Sequence, residues 1–233
     1  MFLSKRLLGH IPSITLLNTV DTGTYYVYMV PGVYDITACA PGGGGVCGYN
    51  GRTGSYSGRA QGGVGGTVRI RVAVHSACTA TVYIPPIVSG AGHWHGSPSV
   101  YNQDWVNAGD AWTAETAGNT TIYGIPNLVV ECYGGTGASF YGTTNASGTG
   151  TPGSQGWVNT YGSAIISTSI NSNNTPITSL QTTGVRDNTN EPFTYADIFG
   201  GSAARRPGFG GSCGTRGAGG VGGYGHVRIV RVS

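Results

Sequence analysis

The sequence predicts an all-β fold, an antiparallel β-sandwich of jelly-roll-like kind with glycine-rich loops, and three observations carry that prediction. Apolar and polar residues alternate with period two in 24–30, 33–40, 67–74 and 226–232, while no i, i+3, i+4 stripe runs through the first half. Glycine supplies 43 of 233 residues, far above the usual share of about 7%. Those glycines cluster beside the alternating runs, as in Gly62-Gly63-Val64-Gly65-Gly66 before Thr67 and Gly222-Gly223-Tyr224-Gly225 before His226. Glycine loses the most backbone entropy on folding, so such runs stay ordered only where backbones approach closely or φ is positive. Extended threads packed side by side, in a polyglycine-II-like manner, meet that condition provided neighbours satisfy their amides.

Taken in order, residues 1–20 form a short N-terminal arm, greasy through Phe2, Leu3, Leu7 and Leu8 and expected to attach the chain to another protein or else to fold back on its own domain. Residues 21–233 are expected to form one glycine-rich sandwich domain. Its first two runs, 24–30 and 33–40, flank Pro31-Gly32 and read as a hairpin-like pair. A glycine segment spans 41–66. Strands follow at 67–76 and 79–84, and Pro85-Pro86 stops the second. Residues 87–119 read as a Trp/His-rich insertion. Strands resume at 120–125 and 128–133, followed by a Gly/Ser/Thr/Asn-rich stretch in which 164–166 is apolar. A Gly-Arg segment over 200–225 leads into the closing strand.

Composition narrows the function. Only 9% of residues are charged and the net charge is +3, too weak and dispersed for the basic stripe that nucleic-acid binding needs. No run approaches 18 apolar residues, so no membrane-spanning helix is expected. Gly9, His10 and Pro12 interrupt the first apolar stretch, and a secretory leader is not expected either. The cysteines (39, 47, 78, 132 and 213) are odd in number and lack C-x-x-C spacing, which argues for buried thiols. A Cys47–Cys213 bridge between glycine segments is the alternative for those two in an oxidising compartment.

Chemistry-bearing patterns are sparse. His93-Trp94-His95 places two imidazoles on one side of an extended segment, but no third nitrogen or sulfur ligand stands nearby, so neither metal nor cofactor is expected. Trp94, Tyr101, Trp105 and Trp112, with His93 and His95, suit a stacking platform for sugars, or else packing. Acids able to pair as in a glycosidase, Asp104, Asp110 and Glu115, would meet only by accident of fold. The serines lack a Gly-x-Ser-x-Gly elbow on a strand-to-helix turn, because there is scarcely a helix to follow one; no phosphate loop occurs, and an enzyme is not expected.

Val-Pro-Gly-Val-Tyr-Asp-Ile-Thr (30–37), the run Gly42–Gly45, Gly-Gly-Thr-Val-Arg-Ile-Arg-Val (65–72) and the closing Gly-Gly-Tyr-Gly-His-Val-Arg-Ile-Val-Arg-Val (222–232) together resemble the glycine-rich domains of bacteriophage tail-fibre and adhesin proteins. The resemblance covers about 22–86 and 120–232; the runs here are shorter, and 87–119 has no counterpart. It implies a virion structural protein with a β-sandwich capped by glycine loops. The expected partners are other virion proteins, further copies of the chain, with a trimer favoured, and a host-surface glycan. A cell-surface or extracellular filament subunit is the rival reading.

Overall fold

The computed structural model describes residues 13–50, 55–92, 111–144, 147–170 and 221–232; those residues hold strands and turns and no helix. Strands are numbered in chain order. One sheet runs β1 (Ile14–Thr19), β16 (His226–Arg231), β3 (Gly32–Cys39), β6 (Thr67–Val74), β15 (Ile165–Ile170). The other runs β14 (Val158–Tyr161), β11 (Val129–Cys132), β10 (Thr120–Tyr123), β7 (Cys78–Ile84), β2 (Gly23–Met29). Neighbours pair antiparallel throughout both sheets. The period-two pattern sends Tyr34, Ile36, Val68, Ile70, Val72, Val227 and Ile229 from one sheet against Val27, Met29, Val82, Ile84, Ile122 and Val130 from the other. The expected all-β sandwich is therefore present, with its core between the sheets.

The structure departs from these expectations at two places. Residues 24–30 and 33–40 do not pair with each other: β2 joins β7, whereas β3 lies between β16 and β6. Pro31-Gly32 is thus an arch between sheets, fixed by the Tyr34 hydroxyl donating to the Val30 carbonyl at 2.7 Å. The short turn looked like a hairpin because alternation cannot say which sheet a strand joins. Within the expected arm, 14–19 is an edge strand paired to β16, so the sandwich begins earlier than residue 21; Phe2, Leu3, Leu7 and Leu8 lie outside the described residues. Residues 164–166 lead into a strand. By contrast, the β10–β11 hairpin follows its local chemistry, with Pro126 and then Asn127 at φ 58° in a turn closed by the Leu128 amide on the Ile125 carbonyl at 3.2 Å.

Above one end of the sandwich stand the glycine segments. Seven extended threads occur among the described residues: 40–45, 61–66, 85–90, 114–119, 133–138, 152–157 and 221–225. They bond to one another through their peptide groups. Gly43 donates to Gly63 (2.8 Å), Gly63 to Thr136 (2.8 Å), Gly135 to Pro41 (3.0 Å), Gly42 to Gly223 (3.2 Å) and Gly44 to Glu115 (3.0 Å). Thread 40–45 is innermost and wholly buried. None of the described glycines in the threads has positive φ, so closeness alone demands them. A Cβ on Gly43 would land on the Thr136 carbonyl, one on Gly62 on the Gly43 carbonyl, and one on Gly222 on the Gly42 carbonyl.

Burial in the threads has a three-residue period. In 61–66 the four glycines are buried while Gln61 is exposed and Val64 half-buried, and 221–225 repeats the pattern with Val221 and Tyr224. Outer threads need fewer small residues: in 114–119, Ala114 and Ala117 face inward and Glu115, Thr116 and Gly118 are exposed. At a rise of about 3.1 Å per residue, six residues make a bundle about 19 Å tall.

Candidate functional site

Six of the seven threads each link a sandwich strand to a second, smaller set of strands, and 221–225 leads into β16. Three excursions are complete among the described elements: β3 passes through 40–45 to β4 (Val46–Asn50), and β5 (Ser55–Ala60) returns through 61–66 to β6. Likewise β7 leads through 85–90 to β8 (Ala91–Gly92), and β9 (Ala111–Thr113) returns through 114–119 to β10. Finally β11 leads through 133–138 to β12 (Ser139–Thr144), and β13 (Ser147–Thr151) returns through 152–157 to β14. The outgoing and returning strands of every excursion are hydrogen-bonded neighbours in their sheet. All three excursions therefore turn at one distal end.

At that end β8 lies parallel to β4, β4 pairs β5, and β12 sits between β9 and β13. A small core of Val46, Ala60, Ala114, Ala138 and Phe140 fastens these strands to the bundle, and Trp112 packs against it. Trp112 pairs with Phe140 across the β9–β12 ladder and stacks on its ring at 4.6 Å between centroids, 16° apart. Of the expected stacking platform, Trp112 is thus half-buried, with its ring stacked on Phe140. His93, Trp94, His95, Tyr101 and Trp105 lie outside the described residues, as do Asp104 and Asp110. Their bracketing residues, Gly92 and Ala111, both belong to the distal strands, so segment 93–110 starts and finishes there. The ends of the predicted insertion, 87–90 and 114–119, are bundle threads, which the absence of glycine runs concealed.

The described carboxylates serve structure. Asp35 accepts two bonds from Arg71, at 2.6 and 2.8 Å; Glu115 accepts from the Ser89 amide at 2.9 Å; Glu131 accepts from Tyr133 and Asn159. Among the described residues no group of three or more His, Cys, Asp or Glu could hold a metal, and no helix is long and apolar enough to cross a membrane. Cys39 and Cys132 are free and buried under the threads; burial pushes the Cys39 thiol up to about 11 and holds Cys132 well above its usual range, so both resist ionisation. Cys213 and the Arg205-Arg206 segment lie outside the described residues, and with them the question of a bridge to Cys47. At the distal end, hydrogen-bonded threads lead into the strands that flank the connecting segments. The outward tyrosines 26, 28, 83 and 123 each neighbour an inward apolar residue in the same run, and Tyr161 stands at the end of β14.

No family model matches the chain, and no curated protein matches it.

Proposed function

We propose that the chain is a non-enzymatic virion component of a bacteriophage, a tail or head fibre adhesin that presents its distal connecting segments to a host surface. The observation that carries this reading is the convergence of the three excursions on one end of a bundle with no room for side chains at its centre. A recognition surface needs segments that can vary in sequence on flanks that cannot move. Peptide-to-peptide bonding supplies that rigidity without reference to loop sequence, and 93–110 brings two histidines, two tryptophans and a tyrosine to the distal end. Stacking rings beside amide and carboxylate groups suit a glycan receptor. Attachment to other virion proteins falls to residues 1–12, ahead of β1, and assembly with further copies, a trimer by preference, completes the adhesin.

The test uses the full chain and a variant in which 93–110 is replaced by a short Gly-Ser linker. The full chain should bind cells of the infected bacterium and compete with particle adsorption, while the variant unfolds at the same temperature and does neither. Absence of competition by the full chain would overturn the reading. Polymerisation into filaments would favour the surface-filament alternative.

A further inference from the structure

The outer face of the β14-β11-β10-β7-β2 sheet carries exposed rings that the distal end does not use. Val27 and Met29 point into the core, so Tyr26 and Tyr28 point outward, 74% and 65% exposed. The same parity exposes Tyr83, Tyr123 and Tyr161. Register then aligns three of the five. Thr81 pairs with Tyr26 on one side and Tyr123 on the other. Tyr123 follows Ile122, the partner of Val130, and so stands beside Val129, which pairs with Tyr161. A line across the sheet reads Tyr26, Thr81, Tyr123, Val129, Tyr161. With strands about 4.8 Å apart, its tyrosines recur about every 10 Å.

Charge is nearly absent from this face. Glu131 is the one acidic or basic side chain at the outward positions of the five strands, and it is held by the Tyr133 hydroxyl at 3.1 Å and the Asn159 amide at 3.2 Å. Next to it Tyr133 and Trp157 stack at 3.9 Å and 9°, leaving Trp157 59% exposed.

We propose that this face binds an extended, neutral, β-linked polysaccharide laid across the strands, an inference that goes beyond the distal-end reading and does not depend on it. The rise per sugar in such a chain is close to one interstrand spacing, and alternate sugars present the same side, so every second sugar meets a tyrosine. Equatorially substituted rings offer flat C–H faces to the aromatic rings. Threonine hydroxyls interleave the tyrosines; a dry protein interface would strand them, whereas sugar hydroxyls satisfy them. A face with one carboxylate and no cation disfavours anionic glycans. Sheet twist turns successive tyrosines by about 45° over two strands, which a soluble chain follows and a crystalline surface does not.

The experiment is calorimetric titration of the full chain with cellohexaose and with chitohexaose, and with their shorter homologues. Affinity for one series should rise from the disaccharide to the pentasaccharide and then level off as all five strands are covered. Tyr26→Ala, Tyr123→Ala and Tyr161→Ala should each weaken binding about tenfold without moving the unfolding temperature, because the rings are exposed. No binding of either hexasaccharide, or binding that survives the triple substitution, would overturn the proposal. Self-association abolished by the triple substitution would also overturn it, by giving the face to a second copy. The 93–110 replacement should leave hexasaccharide binding intact, so this proposal and the distal-end reading fail separately.

Discussion

The sandwich and the thread bundle solve the same problem, an interior without water, by opposite means. Between the sheets the interior consists of side chains: Ile36, Ile70, Val82 and Ile229 are at most 1% exposed, and each such residue contributes about 1.5–3 kcal/mol by leaving water. Inside the bundle it consists of peptide groups, with thread 40–45 buried and bonded to its neighbours. Apolar burial is non-directional, so the sandwich accepts different shapes of similar volume. Peptide bonding is directional and the central threads lie at backbone contact, so positions such as Gly43, Gly62 and Gly63 accept nothing larger than hydrogen. One core fails when atoms are removed and the other when a single carbon is added.

That contrast is broken most forcefully at the centre of the bundle. In Gly43→Ala the new Cβ meets the Thr136 carbonyl, a backbone atom that itself accepts the Gly63 amide and cannot swing aside. The expected loss is about 4 kcal/mol, at the upper end of overpacking effects, or about 10 °C in unfolding temperature for a chain of this size. Ile36→Ala should lose about 3 kcal/mol by the converse route, a cavity at a residue that is fully buried. Calorimetric unfolding of the two variants checks both values. A Gly43→Ala chain as stable as the parent would mean that the threads are not at contact distance.

How much of this was legible in the sequence follows from the same packing. The sandwich core was readable because alternation is a local property: inward residues of β6 and β16 sit at every second position of 67–74 and 226–231. Threads 61–66 and 221–225 were readable because two of every three positions face neighbours and must be glycine, leaving Val64 and Tyr224 outward. Threads 85–90, 114–119 and 152–157 leave no glycine-run signature because an outer thread has one inward position in three, and in 114–119 Ala114 and Ala117 fill it as well as glycine does. Sheet membership was hidden too, since nothing local to Pro31-Gly32 says that β3 joins β16 from the other end of the chain. At the distal end the Trp112–Phe140 stack depends on the register of β9 against β12, 28 positions apart in the pair itself, and no pattern within either run encodes it.

His226 stands where the two regions join, immediately after thread 221–225 and at the first position of β16. Its ring is buried and its Nε2 lies 2.9 Å from the Asn18 side-chain oxygen, so the neutral imidazole donates there. Burial first, and then the Arg228 charge, lower its pKa from 6.5 to about 3. Because the folded value lies below the unfolded one, the unfolded chain takes up the proton first. Stability from this group is complete above pH 6.5 and is lost as pH falls towards 3, at about 1.4 kcal/mol per pH unit, or about 2 kcal/mol by pH 5. Denaturant unfolding at pH 7 and pH 5 should show that decline, and His226→Gln should flatten it. An unchanged slope in the variant would place the acid sensitivity elsewhere.

The smallest expected effect is the sharpest discriminator, because it compares adjacent residues of one thread. Gly63 faces thread 152–157, and a Cβ there would strike the Ser154 carbonyl; Val64 faces outward and its carbonyl accepts the Gly156 amide at 2.7 Å. The bond uses the backbone of Val64, so its side chain is incidental to it. Val64→Ala should therefore change stability by less than about 0.5 kcal/mol, as for other surface changes, while Gly63→Ala loses several times that. Both variants add or keep a methyl at the same height in the bundle and differ only in phase along a three-residue period. Equal unfolding temperatures for the two would show that the period does not govern packing, and would leave the threads as ordinary loops.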